Sequence, residues 1–83
     1  MHLQSLDEMI ADSHQTDSLQ SRVAANLRKA RLRAGLSQEE FAERCGYHRT
    51  YIGSIERGER NITLNTLSNI ASTLGISPID LLK

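Results

Sequence analysis

The chain of 83 residues balances ten Lys and Arg against ten Asp and Glu, for a formal net charge of zero, and contains one cysteine and one proline. That length predicts a single domain, near the small end of what folds without staples. One cysteine excludes an intramolecular disulfide. No run approaches the roughly 20 apolar residues of a membrane span, and acids stand where a signal peptide would be basic and then apolar, so a cytoplasmic protein with no membrane partner is expected.

The zero net charge hides a segregation. Residues 1–20 hold Asp7, Glu8, Asp12 and Asp17 with no Lys or Arg; residues 21–60 hold nine basic and five acidic side chains; residues 61–83 balance Asp80 against Lys83. Positive charge is therefore concentrated in the middle of the chain, as a phosphate-backbone partner requires. Ordinary surface charge on a helical protein is the plainer account of the same pattern.

In chain order, residues 1–18 form an acidic N-terminal extension. Leu3, Leu6, Met9 and Ile10 fall near helical spacing, and Ser5 with Glu8 has the form of a capping box, so a short helix is expected there. It can pack on the domain, join a dimer contact, or act as an acidic arm competing with DNA. Residues 19–83 form the domain proper. Leu19 to Ala34 reads as a helix whose buried stripe is Val23, Leu27, Ala30 and Ala34, with Arg22, Arg28, Lys29, Arg31 and Arg33 on other faces and Gly35 as the stop. Ser37 and Glu40 then form a capping box, with Leu36 stapled to Phe41, at the start of the next helix.

That helix opens the stretch on which the chain is organised, Gln38 to Arg57. Phe41, Ala42 and Cys45 share one face, Gly46 breaks the pattern, and Ile52 and Ile55 resume it after a short turn. The small Ala42 permits a close helix crossing, and Gly46 tolerates positive φ. The second helix buries only Ile52 and Ile55, leaving Thr50, Gly53, Ser54 and Arg57 outward, flanked by Arg49 and Tyr51. Such a set suits base-pair edges, since Arg bonds guanine bidentately and Thr or Ser can donate, accept or offer a methyl. A Gly turn and an exposed helix face also occur in any small helical domain. Ser37 and Gln38 stand at a helix N-terminus, where free amides attract phosphate.

After Gly58 comes a loop in which Arg60 and Asn61 lie close to the expected groove wall. Thr63 caps a helix with the stripe Leu64, Leu67, Ile70, Ala71 and Leu74, closed by Gly75. Ser77 and Pro78 start a short last helix. Its Ile79, Leu81 and Leu82 are many apolar residues for so few positions. They meet a partner chain in a homodimer or close the monomer core.

With these pieces assembled, LRKARLRAGLSQEEFAERCG, HRTYIGSIERGERN and ITLNTLSNIASTLGIS together resemble the Xre, or lambda-repressor-like, family of helix-turn-helix regulators over about residues 21–82. Within it, HRTYIGSIERGERNITL is similar to the controller proteins of bacterial restriction-modification systems. The resemblance implies an all-α, five-helix DNA-binding domain and a homodimer that binds a palindromic operator in double-stranded DNA upstream of its own gene. It implies base or groove contacts by Arg49, Thr50, Tyr51, Ser54 and Arg60, which the outward face extends to Arg57, and phosphate contacts by Gln38 and Asn61. It also implies a structural ion pair between Arg31 and Glu56. Tyr51 can contact DNA or bury its ring. RNA polymerase is a further partner if the protein activates, with Glu39, Glu40 and Glu43 as candidate contacts. His48 departs from the usual Ser at its position, which predicts a less firmly started recognition helix. The long N-terminal extension leaves room for a phage-type repressor or an antitoxin-like protein-interaction module.

No catalytic or cofactor chemistry is expected. Cys45 and His48 have the wrong number and spacing for zinc, and Cys45 falls on the buried stripe. No acid or oxyanion donor is organised around them, and there is no Gly-rich phosphate loop.

Overall fold

The computed structural model describes residues 18–83; the readings on Leu3, Ser5, Leu6, Glu8, Met9 and Ile10, and the acidic arm, lie outside the described residues. Among the described residues the chain folds as four α-helices, α1 (Leu19–Arg33), α2 (Gln38–Cys45), α3 (Arg49–Glu56) and α4 (Leu64–Leu74), followed by a 3-10 helix (Pro78–Leu81), with no strand. The all-helical class is as expected, but the fifth element is not an α-helix. Asp80 N–H to Ser77 O and Leu82 N–H to Ile79 O, both 2.9 Å, are three-residue bonds that wind the segment tighter.

Each start is chemically specified. Ser18, assigned by sequence to the extension, caps α1 by accepting from the Ser21 amide at 3.1 Å. Ser37 accepts from the Glu40 amide at 3.0 Å while Glu40 accepts from the Ser37 amide at 2.8 Å, a complete capping box. Thr63 caps α4 through the Thr66 amide at 3.1 Å. His48, expected to start α3 less firmly than Ser, also caps: its Nδ1 accepts from the Thr50 amide at 3.0 Å. Between α2 and α3, Gly46 takes φ 84°, the left-handed conformation that a Cβ disfavours.

The core is a single cluster in which Leu27, Phe41, Ile52, Ile55, Ile70 and Leu81 are almost wholly buried. Removing each from water is worth about 1.5–3 kcal/mol, so these six fix how the four α-helices and the 3-10 helix meet. Helix α1 packs on α3 and the 3-10 helix, and α2 on α3 and α4. Ala42, 1% exposed, lies on the α2 face turned into the core.

Expected burials change in α1, in α4 and in the 3-10 helix. In α1 the stripe is Val23, Ala24, Leu27 and Arg31, while Ala30 is half-buried and Ala34 exposed, because Arg31 extends the steps of four from Val23 and finds its charge partner in α3. Leu64 is 80% exposed, since it begins α4 a turn before the first core residue, Leu67. Leu81, expected at a dimer contact, is wholly buried. In a 3-10 turn residues three apart share a face, so Ile79 and Leu82 align while Leu81 turns inward.

Candidate nucleic-acid interface

Helix α3 is held rigidly from behind. Ile52 and Ile55 anchor it in the core. At its C-terminal end Glu56 receives Arg31 on both oxygens, Nε to Oε2 at 2.6 Å and Nη2 to Oε1 at 3.0 Å, with side chains 8% and 3% exposed. Arg31 Nη1 also donates to the Leu36 carbonyl at 2.8 Å. Gln38 Nε2 donates to Glu56 Oε1 at 3.0 Å. One carboxylate therefore joins α1, the start of α2 and the end of α3, and a fully bonded buried network of this kind fixes relative orientation. Gln20 Nε2 adds a bond of 2.6 Å to the Gly58 carbonyl just past α3, and Asn69 Nδ2 one of 3.0 Å to Cys45 O at the turn.

The face turned away from this network carries the sequence-selected residues unevenly. Arg49 and Thr50 are exposed at the first turn of α3, and Thr50 directs both its amide and its hydroxyl at His48 Nδ1. Tyr51 is half-buried. Its ring meets Tyr47 edge-on at 5.1 Å between centroids, and the Arg60 guanidinium lies 5.4 Å above it. Ser54 and Gly53, expected outward, are buried. Ser54 Oγ donates to Tyr51 O at 2.7 Å and accepts from Arg60 Nε at 3.2 Å, so the loop after α3 folds back and covers it. Arg57 is exposed and paired with Glu59. Asn61 is exposed in the loop, whereas Ser37 and Gln38 stand at the start of α2. The Ser37 amide is already taken by Glu40, which leaves the Gln38 and Glu39 amides as the first-turn donors without an intrahelical acceptor.

Burial pushes the Cys45 thiol up, an inert packing residue and not a nucleophile. Among the described residues no group of His, Cys, Asp and Glu could hold a metal, and no helix is long and apolar enough to cross a membrane.

Sequence reasoning passed over Tyr47 and Glu59. Aromatic residues four apart, at 47 and 51, were the available signal for the first. The alternation of charge in Arg57-Gly58-Glu59-Arg60 was the signal for the second.

Two short helices packed on each other across a glycine turn, with the second anchored behind and polar in front, form a helix-turn-helix. The helix-turn-helix family matches residues 27–81, which span all of this unit. The chain belongs to that family. It is 41% identical over 68 residues to "Control protein C.BamHI" of Bacillus amyloliquefaciens, covering 81% of this chain and 84% of that one. It is 54% identical over 55 residues to "Control protein C.SmaI" of Serratia marcescens, covering 66% of each. Among solved structures, the restriction-modification controller protein C.AhdI from Aeromonas hydrophila superposes with a TM-score of 0.72 at 39% identity, covering 75% of this chain and 94% of that one.

Proposed function

We infer that this helix-turn-helix protein is a sequence-specific DNA-binding transcriptional regulator, a dimeric controller of a restriction-modification system acting at its own promoter. The observation that carries the reading is the asymmetry of α3. Its inner face and C-terminal end are locked by Ile52, Ile55 and the Arg31, Glu56 and Gln38 network, while Arg49 and Thr50 are exposed at its N-terminal turn, Thr50 bonded only to the neighbouring His48. Recognition helices of this motif read base edges with their N-terminal residues. The relatives named as control proteins support the controller role.

In this reading Arg49 and Thr50 read bases. Tyr51, Arg57 and Arg60 line the groove, and Ser54 joins them when Arg60 moves. Gln38 and Asn61, with Ser37 beside the start of α2, hold phosphates. A homodimer on a palindromic operator uses apolar side chains at the surface: Ile79 is 64% exposed, and the exposed Leu19 and Leu64 line a groove with the half-buried Ile62 and Leu82. Leu81 has no part in it. The same groove is the observation that favours a second reading, an antitoxin-like module that docks another protein there. For a polymerase contact Glu39 and Glu43 are the exposed acids of α2 not engaged in its cap. The protein acts in the cytoplasm, needs no cofactor and is not an enzyme.

Arg49→Ala separates the readings. It should cost roughly 1–3 kcal/mol on operator DNA and relax selectivity at one position, whereas Gln38→Ala should weaken all sequences more evenly. Equal losses on operator and random DNA for Arg49→Ala would refute the base-reading role.

A further inference from the structure

The Arg57 side chain sits at the edge of α3 in an unusually defined position. Its Nε donates to Glu59 Oε2 at 3.0 Å and its Nη2 to Glu59 Oε1 at 3.1 Å, although both side chains are more than half exposed. On its other side, Nη1 rests over Gly53, where a Cβ would stand 3.2 Å from Nη1 and 3.4 Å from Gln38 Oε1. Glycine in a helix interior is destabilising relative to alanine, and an ion pair this exposed adds little to stability. The pair is not what holds the fold, and with the Gly53 notch, which also admits Gln38, it holds one guanidinium from two sides.

A guanidinium offers two forked edges to a planar acceptor, and Glu59 takes the edge made by Nε and Nη2. Only Nη1 and the second proton of Nη2 stay open. We propose that Glu59 is a positioning residue for DNA recognition: it pins Arg57 in the Gly53 notch, presents the guanidinium end-on to a base pair, and withholds it from indiscriminate phosphate pairing. The proposal rests on the reading of α3 as a recognition helix. Its negative charge beside the groove adds to the effect by repelling phosphates wherever Arg57 has no base to reward the approach. The mutual shifts agree with the contact, since Arg57 holds the Glu59 carboxyl below its ordinary range and Glu59 raises Arg57.

The test is a double-mutant cycle on selectivity. Wild type, Glu59→Gln, Arg57→Ala and the double variant are titrated against duplex DNA from immediately upstream of the chain's own gene and against a scrambled duplex, over a range of salt. Glu59→Gln should leave the thermal unfolding curve in place and lower the ratio of the two affinities about tenfold, the scale of one bidentate contact. Its binding to the scrambled duplex should tighten, with a salt slope steeper by about 0.9 as Arg57 gains a phosphate. In the Arg57→Ala background, Glu59→Gln should change the ratio no further. A ratio unmoved by Glu59→Gln, or one that falls equally with and without Arg57, overturns the proposal while the functional reading stands. A wild-type ratio near one overturns that reading and the proposal with it.

Discussion

Replacing Glu56 by alanine tests whether the recognition helix is held as described. The substitution removes both acceptors of Arg31 and the acceptor of Gln38, leaving Arg31, 6% exposed as a whole residue, with only the Leu36 carbonyl. A buried charge stripped of its counter-ion costs about 3–5 kcal/mol. For a domain whose whole stability is about 5–15 kcal/mol, that is a large share. Urea unfolding followed by far-ultraviolet circular dichroism, at fixed protein concentration and neutral pH, reads it as a fall in midpoint at constant slope. The double replacement Arg31→Met with Glu56→Leu removes both charges together and should cost much less than the sum of the single replacements. A cost below about 1 kcal/mol for Glu56→Ala, the value of a surface pair, would refute the reasoning, as would strict additivity in the double variant.

Leu81→Ala should cost about 2–5 kcal/mol by opening a cavity, whereas Ile79→Ala should change monomer stability by no more than about 0.5 kcal/mol and instead raise the dimer dissociation constant; sedimentation and unfolding together separate the two. His48→Ala should cost about 1 kcal/mol by removing the α3 cap, and His48→Ser should recover most of it in thermal unfolding. Glu40 and Asp80 are held below the ordinary carboxylate value, Glu40 chiefly by the Ser37 amide and Asp80 by Lys83. Their folded values lie below their unfolded ones, so the stability they lend is complete above the unfolded value of about 4 and is lost as pH falls through the folded values. The urea midpoint should therefore decline below about pH 4, and less steeply in Glu40→Gln; a midpoint that rises on acidification contradicts the assignment.

Local chemistry made much of this fold legible. The Ser37 and Glu40 spacing announced the start of α2, Gly46 its end, and the steps from Phe41 to Ile55 the pair of helices around the turn, because caps, turns and one-sided burial each leave a mark within a few residues. What escaped depends on partners far along the chain. Arg31 reads as one of five surface cations of α1 until Glu56, 25 residues later, is placed against it; only the family resemblance pointed to that pair. Ser54 has the size and polarity of a base reader, and its covering by Arg60 is decided by the path of a loop. Ile79, Leu81 and Leu82 could not be divided between core and surface without knowing that the turn is a 3-10 helix. Glu59 was passed over because an acid beside a basic groove reads as a solvated charge until its geometry on Arg57 is seen.

The most direct measurement is a mobility-shift titration against DNA from immediately upstream of the chain's own gene, beside a scrambled duplex of equal length at the same salt. A specific, dimeric autoregulator should give stepwise shifts at concentrations roughly a thousandfold or more below those needed for the control. Equal affinity for the two duplexes would mean that the basic face meets phosphate alone, and would contradict the assignment of Arg49 and Thr50 as readers of sequence.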